Sequence, residues 1–280
     1  TRLHINAPVD EEVELYRGLY DLIQSTAEGQ KIKGIGIGCA GVLALDRRSV
    51  RYSPNYKLLE GVPICKHLEN KFGVSTILEN DANAIALGEH WKGAGIKANT
   101  LIIITLGTGV GTGCILNGNL YRGSYGFAAE GGHTTIDFNG PFCKCGNRGC
   151  LEAFVGSYGI LRRLDEKISK ESNSKSTRLN INQTVEEIGR AAQAGDHSSI
   201  EIIKETGFYL GVGMANFANI FNPDMIVLTG GVSRAGEILI EPAHAEMKRR
   251  AFPSNTESLD VVTGSLGDNA GPLGAVYPLI

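Results

Sequence analysis

The sequence predicts an α/β protein with two lobes, and three observations support this class. Helix and strand signals alternate along the chain, which is typical of α/β proteins. The 280 residues are enough for two medium-sized domains with buried cores. Glycine-rich segments at 107–113 and 230–231 follow strand-like runs, so we expect them to lie in the gap between the lobes.

In the first third of the chain, a helix is expected after the Pro-Val-Asp segment at 8–10. Apolar residues from Val13 to Ile23 recur there on one helical face. Segment 31–38 predicts a short buried strand with small residues. The elements expected next are a helix over 64–72, a strand over 75–79 and a helix over 83–91.

The run 100–106 is the most strand-like of the chain. The glycine segment 107–113 follows it, and an Asn117-Gly118 pair predicts a tight turn between two further strands. Ser, Asn and Lys are frequent in 169–182, which predicts a surface loop. The remaining expected elements are strands over 114–116, 120–121, 225–228 and 259–262, helices over 156–170, 185–194, 200–221 and 235–250, and a short apolar helix that ends 268–280.

Charge and cysteine usage exclude several classes of partner. A net charge of −3 at pH 7 argues against a nucleic-acid surface, which requires a basic stripe. The longest apolar runs are too short to cross a bilayer, and residues 1–10 lack the apolar core of a signal peptide. Cys39, Cys65 and Cys114 stand alone, which is typical of small buried residues. With the other three cysteines in a metal-type pattern, we expect a reducing, cytoplasmic location.

Three cysteines and a histidine lie within 18 residues: His133, Cys143, Cys145 and Cys150. Thiolate and imidazole ligands suit tetrahedral Zn²⁺, and the short glycine-rich spacers allow one tight loop to surround an ion. Because all four positions would be filled, no position would remain for an activated water, which indicates a structural zinc. The alternative is that these are ordinary loop cysteines or half of a disulfide pattern.

The glycine segment 107–113 matches neither common phosphate-binding motif. The third glycine of a dinucleotide-binding motif would fall at a different spacing, a strand follows in place of a helix, and the Gly-Lys-Ser/Thr of a P-loop is absent. A strand-turn-strand remains, in which backbone N–H groups can approach phosphate oxygens; the alternative is a plain tight hairpin. Segment 229–233 leads from a strand into a helix and offers a second such site. The candidate nucleotide-binding residues are Gly107, Thr108, Gly109, Gly111, Gly230 and Gly231.

Asn80 and Asp81 stand where the strand 75–79 is expected to end, which is where α/β proteins bind ligands. Either residue can instead cap the following helix. A sugar kinase needs one carboxylate to accept the proton of the attacking hydroxyl, and further polar groups to hold the other hydroxyls. Asp81 is the candidate base. The candidate hydroxyl-binding residues are Asn80, Glu130, His133 and Glu152, and the zinc would fix the loop that carries the last three.

Together these motifs resemble the ROK family (repressors, open reading frames and kinases), and within it the bacterial glucokinases. The resemblance covers most of the chain from about residue 32 onward. The motifs that carry it are Glu-Asn-Asp-Ala-Asn-Ala at 79–84, Leu-Gly-Thr-Gly-Val-Gly-Thr-Gly at 106–113, Ala-Glu-Gly-Gly-His at 129–133, Cys-Lys-Cys-Gly-Asn-Arg-Gly-Cys-Leu-Glu at 143–152 and Thr-Gly-Gly-Val-Ser-Arg-Ala-Gly at 229–236.

The resemblance implies an actin-like, hexokinase-type (ribonuclease H-like) ATPase fold with two lobes. We expect a smaller lobe over 1–98 with 268–280, and a larger lobe over 99–267. The resemblance also implies phosphorylation of a hexose at its 6-hydroxyl with ATP and Mg²⁺, commonly by a homodimer. By the same resemblance, Asp81 is the base, segment 107–113 is the second phosphate motif and Gly230-Gly231 is the adenosine motif. The residues that it assigns to the sugar are Asn55, Asn80, Asp81, Glu130, His133 and Glu152, and those that it assigns to zinc are His133, Cys143, Cys145 and Cys150.

The sequence departs from the family pattern in three places. Family kinases begin with a hairpin that carries Asp-x-Gly-Gly-Thr, whose Asp helps to hold Mg²⁺. No such motif stands in this sequence, which predicts that it begins after that hairpin. Ala40 replaces a proline of the turn near the sugar, and Leu59 stands where a tryptophan is frequent. These two differences concern the identity of the sugar more than the chemistry.

Four functions remain open from the sequence. The first is a hexose kinase, with glucose as the expected substrate. The second is an N-acetylhexosamine kinase or fructokinase with the same chemistry. The third is a sugar-sensing regulator of the same family; the basic helix-turn-helix that such regulators carry is not expected in this sequence. The fourth is a sugar-binding protein without catalysis, which would agree with the missing phosphate hairpin.

Overall fold

The computed structural model describes residues 12–53, 56–171 and 184–280. Helices and strands alternate, which confirms the predicted α/β class. The first elements are α1 (Glu12–Ala27), β1 (Ile35–Cys39), β2 (Val42–Leu43), β3 (Val50–Tyr52), α2 (Ile64–Phe72), β4 (Thr76–Asn80) and α3 (Asp81–Lys92). The next are β5 (Leu101–Leu106), β6 (Val110–Leu116), β7 (Asn119–Leu120), α4 (Leu151–Val155), α5 (Ser157–Glu171), α6 (Val185–Gln193), α7 (His197–Phe221), β8 (Met225–Thr229), α8 (Glu237–Arg250), β9 (Asp260–Thr263) and α9 (Ala270–Val276).

Most predicted boundaries agree with these elements to within a few residues, and α2 has the predicted bounds. The glycine segment differs, because β6 begins at Val110 and residues 110–113 are therefore strand, not turn. The predicted loop 169–182 is wrong at its start, since residues 169–171 belong to α5, and 172–182 lies outside the described residues. No sequence signal predicts α4, which has only five residues.

The larger sheet has, among the described residues, five strands in the order β7-β6-β5-β8-β9. Strands β5, β8 and β9 run parallel, and β6 and β7 are antiparallel to their neighbours. Both faces are covered, as expected for β5, in which five of six residues are apolar. Ile102 and Ile104 pack with side chains of α4, α7 and α8 on one face. Leu101 and Ile103 pack with Ala86 of α3 on the other face.

The N-terminal part has its own core. Strands β1 and β4 pair in parallel, and β2 pairs with β3 in antiparallel orientation. Helices α1 and α2 cover them through a cluster that includes Tyr16, Leu68 and Leu78. The last helix, α9, returns to this part of the molecule. An added Cβ at Gly36 would lie 2.3 Å from the carbonyl oxygen of Ala275, so β1 and α9 are in backbone contact.

Helix α3 contacts both cores. It packs on β5 and β6 of the larger sheet and on α9 of the N-terminal part. The contact with α9 is close, because an added Cβ at Gly274 would lie 1.7 Å from the carbonyl oxygen of Ala84. The predicted lobes, 1–98 with 268–280 and 99–267, stay a prediction. Across the described ranges, no helix combines the length and apolar character that crossing a bilayer would require.

Candidate active site

A cavity of about 530 Å³ lies where the end of β4, the start of α3 and the β5–β6 connection meet. It gathers predicted residues that are far apart in the sequence. Those on its wall are Asn80, Asp81, Gly107, Thr108, Gly109, Gly111, Glu130, His133, Glu152 and Gly230. Gly231 lines an adjoining cavity, which shares Gly230 with the first. Asn55 lies outside the described residues. The structure thus brings these side chains together, and their roles stay predictions.

Asn80 and Asp81 occupy the junction between β4 and α3, which follow one another without a loop. The side-chain oxygen of Asn80 accepts a hydrogen bond of 3.1 Å from the backbone N–H of Asn83, so Asn80 caps α3. Asp81 is exposed to the cavity, and its Oδ1 accepts a bond of 2.9 Å from the N–H of Ala82. The two alternatives therefore divide between neighbours: Asn80 caps the helix, and Asp81 faces the ligand space.

Glu79 supports this junction from inside the protein; it is the first residue of the motif at 79–84, but no role was predicted for it from the sequence. Its side chain is 2% exposed and forms ion pairs with the guanidinium groups of Arg47 and Arg122. It also accepts a hydrogen bond of 3.1 Å from the backbone N–H of Asn80. A buried carboxylate with two cationic partners is stable only if this arrangement persists. Glu79 therefore holds the end of β4 in place, next to Asp81.

Glu130 directly precedes the short 3₁₀ helix Gly131–His133. The pKa of Glu130 is raised above its usual range. The largest cause is the loss of water around the carboxylate, which the adjacent His133 opposes, and the charges of Asp81 and Glu152 raise the pKa further. The carboxylate is open to the cavity yet surrounded by protein and by two other acids. Three carboxylates on the wall of one cavity can together accept hydrogen bonds from a molecule with many hydroxyls.

Glu152 lies in the first turn of α4 and is held at both oxygens. Its Oε2 accepts a hydrogen bond of 3.0 Å from the backbone N–H of Val110, and its Oε1 accepts one of 3.3 Å from the hydroxyl of Tyr158. An added Cβ at Gly109 would lie only 2.4 Å from Glu152 Oε2. Packing against Glu152 thus accounts for glycine at position 109 without a ligand, as the plain-hairpin alternative expects.

The other glycines of the segment differ from one another. An added Cβ at Gly111 would lie 2.6 Å from Thr105 Oγ1 and 2.9 Å from Ala82 Cβ, so packing requires glycine there. At Gly107 no heavy atom lies within 4 Å of such a Cβ, and φ is not positive. Neither packing nor a positive φ therefore requires glycine at position 107. The free space beside its main chain leaves room for the predicted approach of a ligand.

The four predicted zinc ligands come together, with all their ligand atoms within 4.8 Å of one another. Cys143 Sγ lies 3.6 Å from His133 Nδ1, and Cys145 Sγ lies 3.7 Å from Cys150 Sγ. Zn–S bonds of about 2.3 Å place the corners of a tetrahedral site about 3.8 Å apart, so the arrangement is compatible with zinc. The disulfide alternative is contradicted, because the cysteines are free and this separation far exceeds an S–S bond.

The three remaining cysteines are buried, as predicted. Burial raises the pKa of Cys39 and Cys114 to about 12 and that of Cys65 to about 11. A thiol with so high a pKa carries almost no thiolate at neutral pH and is chemically inert.

The adjoining cavity, of about 420 Å³, is lined by the end of β8, the turn after it and the segment 263–271. At Gly230, φ is +92°, and an added Cβ would lie 2.3 Å from the carbonyl oxygen of Leu106. Glycine is therefore required for the turn and for contact with β5. Gly230 lies on the wall of both cavities, so the two cavities are next to each other.

The chain is similar to known proteins over nearly its whole length. A model of the ROK family matches residues 4–279. A glucokinase from Thermotoga maritima is 36% identical over 265 residues, which cover 94% of this chain and 84% of that protein. A xylose repressor from Caldicellulosiruptor bescii is 34% identical over 285 residues, which cover 99% of this chain and 71% of that protein.

Among solved structures, a ROK family glucokinase from Streptomyces griseus in complex with glucose and AMPPNP superposes with a TM-score of 0.84. The two chains are 29% identical, and the match covers 97% of this chain and 88% of the other. This likeness confirms the predicted two-lobed ATPase fold of the actin and hexokinase type.

Proposed function

The chain belongs to the ROK family, and on that premise we propose that it transfers a phosphoryl group from ATP to the 6-hydroxyl of a hexose, with glucose as the first candidate. One observation carries the proposal. Asp81, Glu130, His133 and Glu152 line the same cavity as the glycine segment, and that cavity meets a second one at Gly230. Relatives that are glucokinases support the choice of sugar.

In the proposed reaction, the hexose lies against Glu130, Glu152 and His133, which accept and donate hydrogen bonds to its hydroxyls. The 6-oxygen attacks the γ-phosphorus, the bond from that phosphorus to the β–γ bridging oxygen breaks, and the hydroxyl proton passes to the Asp81 carboxylate. Backbone N–H groups of the glycine segment stabilise charge on the phosphoryl oxygens. Mg²⁺ bound with ATP would neutralise further charge on the phosphates.

We also propose a structural zinc held by His133, Cys143, Cys145 and Cys150. The donor set fits a closed tetrahedral site without an open position for catalysis. His133 belongs both to this ligand set and to the cavity wall. Metal binding would therefore fix the orientation of the loop that lies between Glu130 and Glu152.

The regulator alternative is supported by a specific observation, since the xylose repressor from Caldicellulosiruptor bescii is nearly as similar as the glucokinases. Two features favour the kinase. Asp81 is present and faces the cavity, and the space beside Gly107 is free of protein atoms, as the approach of a phosphate requires. A regulator that senses sugar can use Asp81 to bind a hydroxyl, but it requires no space for a phosphate at Gly107.

The test is an ADP-release assay on the full gene product, with the 280 residues alone measured beside it. Glucose, N-acetylglucosamine, N-acetylmannosamine, mannose and fructose are offered with Mg²⁺ and ATP. We expect glucose to give the highest kcat/KM. A different preferred sugar would support the N-acetylhexosamine kinase or fructokinase alternative. Tight sugar binding without ADP release by the full product would refute the kinase and support a regulator or a non-catalytic sugar binder.

We further propose a homodimer in a reducing, cytoplasmic location. The homodimer follows the pattern expected of the family, and sedimentation analysis tests it. The reducing location is supported by the cysteines, all of which are free thiols.

A further inference from the structure

Strand β6 lies between the two parts of the candidate hexose site. Its side chains alternate between two sides, as in any strand. On one side Gly111 and Gly113 face α3: an added Cβ at Gly113 would lie 2.6 Å from Ala86 Cβ and 3.0 Å from the carbonyl oxygen of Ala82. Ala82 directly follows Asp81. The main chain of β6 therefore packs on the first turn of the helix that carries the candidate base.

On its other side, β6 contacts the turn that carries Glu130. An added Cβ at Gly132 would lie 2.0 Å from the carbonyl oxygen of Val110, so the two main chains touch. Thr112 provides the polar contacts. Its hydroxyl donates a hydrogen bond to the carbonyl of Ala129 and accepts one of 2.8 Å from the backbone N–H of Gly131.

These two hydrogen bonds lie on either side of Glu130, because Ala129 precedes it and Gly131 follows it. Thr112 is only 6% exposed, so water cannot easily replace its hydroxyl. Ala129 also has a φ of +67°, a conformation that an alanine adopts only when its surroundings enforce it. The hydroxyl of Thr112 is one group that holds this backbone in place.

We propose that Thr112 is a positioning residue for hexose binding, which sets the direction of the Glu130 carboxylate relative to Asp81 through the backbone of the turn. The inference rests on the proposed function, since it assigns Glu130 to the sugar. Thr112 lies on the wall of the cavity, but both bonds of its hydroxyl go to the backbone of the turn, and in this scheme it acts through that backbone. We expect its effect to be on hexose affinity, because the turn that it holds carries Glu130 and none of the candidate nucleotide-binding residues.

The test compares Thr112→Val, which removes the hydroxyl and keeps the branched shape, with Thr112→Ser, which keeps the hydroxyl. Hexose affinity is measured by titration calorimetry without nucleotide, and KM for hexose and for ATP are measured in the full gene product. We expect Thr112→Val to weaken hexose binding about tenfold, because two buried backbone groups lose their partner. The KM for ATP and the zinc content should not change. Thr112→Ser should restore the affinity.

A residue that matters only for stability would give a different pattern. If Thr112→Val lowers the melting temperature and leaves hexose affinity unchanged, the inference is wrong. It is equally wrong if Thr112→Ser is as weak as Thr112→Val, since the hydroxyl would then not be the cause. The valine methyl would come close to the Ala129 carbonyl; if Thr112→Val does not fold, Thr112→Ala removes the hydroxyl without adding bulk, and the same expectations apply to it.

The outcome also separates this inference from the proposed function. Full-length wild-type protein that neither binds nor phosphorylates any hexose would refute both. Wild-type protein that phosphorylates a hexose, with Thr112→Val and Thr112→Ala both retaining wild-type hexose affinity, would refute only the role of Thr112.

Discussion

At the scale of single residues, adjacent or chemically similar residues of the candidate site have different structural surroundings. Asn80 and Asp81 are adjacent, yet the first caps α3 and the second is exposed to the cavity. Gly107 and Gly111 lie in one glycine segment, yet only the second is required by packing. Because the surroundings differ, substitutions at neighbouring positions are expected to have different effects.

Asp81→Asn tests the candidate base. The amide cannot accept the proton of the attacking hydroxyl, so we expect kcat to fall by about 10²-fold or more, with hexose affinity largely retained. Steady-state kinetics and calorimetry on the full gene product measure the two effects. The control is Asp21→Asn, an exposed position on α1 remote from the cavity. Near-normal kcat in Asp81→Asn would show that Asp81 is not the base.

Gly107→Ala tests the phosphate contact. The methyl group meets no protein atom within 4 Å, so we expect the fold to be as stable as the wild type or slightly more stable. It would occupy the space through which a phosphate approaches, so we expect the KM for ATP to rise. Gly111→Ala is the contrasting variant, because its methyl meets Thr105 and Ala82; it should lose about 1–3 kcal/mol of unfolding free energy. An unchanged KM for ATP in Gly107→Ala would support the plain-hairpin alternative.

Glu130→Gln tests the electrostatics of the hexose site. Because the pKa of Glu130 is raised in the folded protein, the folded state holds this proton more tightly than the unfolded chain. At any pH above the unfolded-state pKa, ionisation of this carboxyl therefore costs folding free energy. We expect Glu130→Gln to unfold at higher denaturant concentration at pH 7, while hexose affinity falls about tenfold.

The same argument predicts how the difference depends on pH. Below the unfolded-state pKa of about 4.3, both folded and unfolded Glu130 are neutral, and the advantage of glutamine should disappear. Denaturation of both proteins at pH 7 and at low pH measures this. Glu257→Gln, at another exposed acid, is the control. Wild-type protein more stable than Glu130→Gln at pH 7 would contradict the sign of the effect.

At the scale of secondary-structure elements, α3 connects the two cavities. Its first residue is Asp81, and near its end Glu89 is fully buried. The oxygens of Glu89 accept backbone hydrogen bonds of 2.8 Å from Ala94, 3.2 Å from Ser265 and 3.0 Å from Leu266. Gly264, Gly267 and Asp268, which flank Ser265 and Leu266, line the cavity that contains Gly230 and Gly231. The helix thus relates the position of the candidate base to that of the candidate nucleotide cavity.

Glu89→Gln should disturb the nucleotide end of this helix. One oxygen becomes an amide nitrogen that faces backbone N–H donors, so we expect a loss of about 1–3 kcal/mol of unfolding free energy. The KM for ATP should rise more than the KM for hexose, because Asp81 lies at the opposite end. Urea denaturation and steady-state kinetics measure both. Glu241→Gln, exposed on α8, is the control, and an equal rise in both KM values would argue against this local role.

At the scale of the whole molecule, the candidate site is assembled from segments that belong to both cores. Glu79 of β4 is buried against Arg122, which lies after β7, and α3 packs on the larger sheet and on α9. The cysteine loop then adds His133 to the wall of the cavity. Removing one of these contacts should therefore affect ligand binding before it affects the whole fold.

Zinc removal tests this view. Freshly purified protein should contain close to one zinc per chain by elemental analysis. Chelation should weaken hexose binding by about tenfold or more, because the loop that carries His133 loses the ion that would orient it, and should expose the 133–150 loop to proteolysis. Adding zinc back should restore both. Full hexose affinity in metal-free protein would show that the cluster does not support the sugar site.

Many residues of the candidate site could be predicted from the sequence because they stand close together in short motifs. Three cysteines and a histidine within one loop predicted a metal cluster, since short spacers alone permit four ligands to surround one ion. The strand end at Asn80-Asp81 and the glycine segment were visible for a similar reason. No role was predicted for the supporting residues Glu79, Glu89, Thr112 and Tyr158, because most of their partners lie elsewhere in the chain.

Patterns within short stretches of the sequence were thus enough to predict the α/β class, the position of most elements and the candidate residues with reactive groups. The packing of distant segments alone decided that β6 lies between Asp81 and Glu130, that Asn80 caps a helix beside an exposed Asp81, and that Gly107 differs from Gly111. The physical reason is that hydrogen bonds and close contacts across dozens of residues depend on three-dimensional neighbours, and spacing along a chain does not specify them.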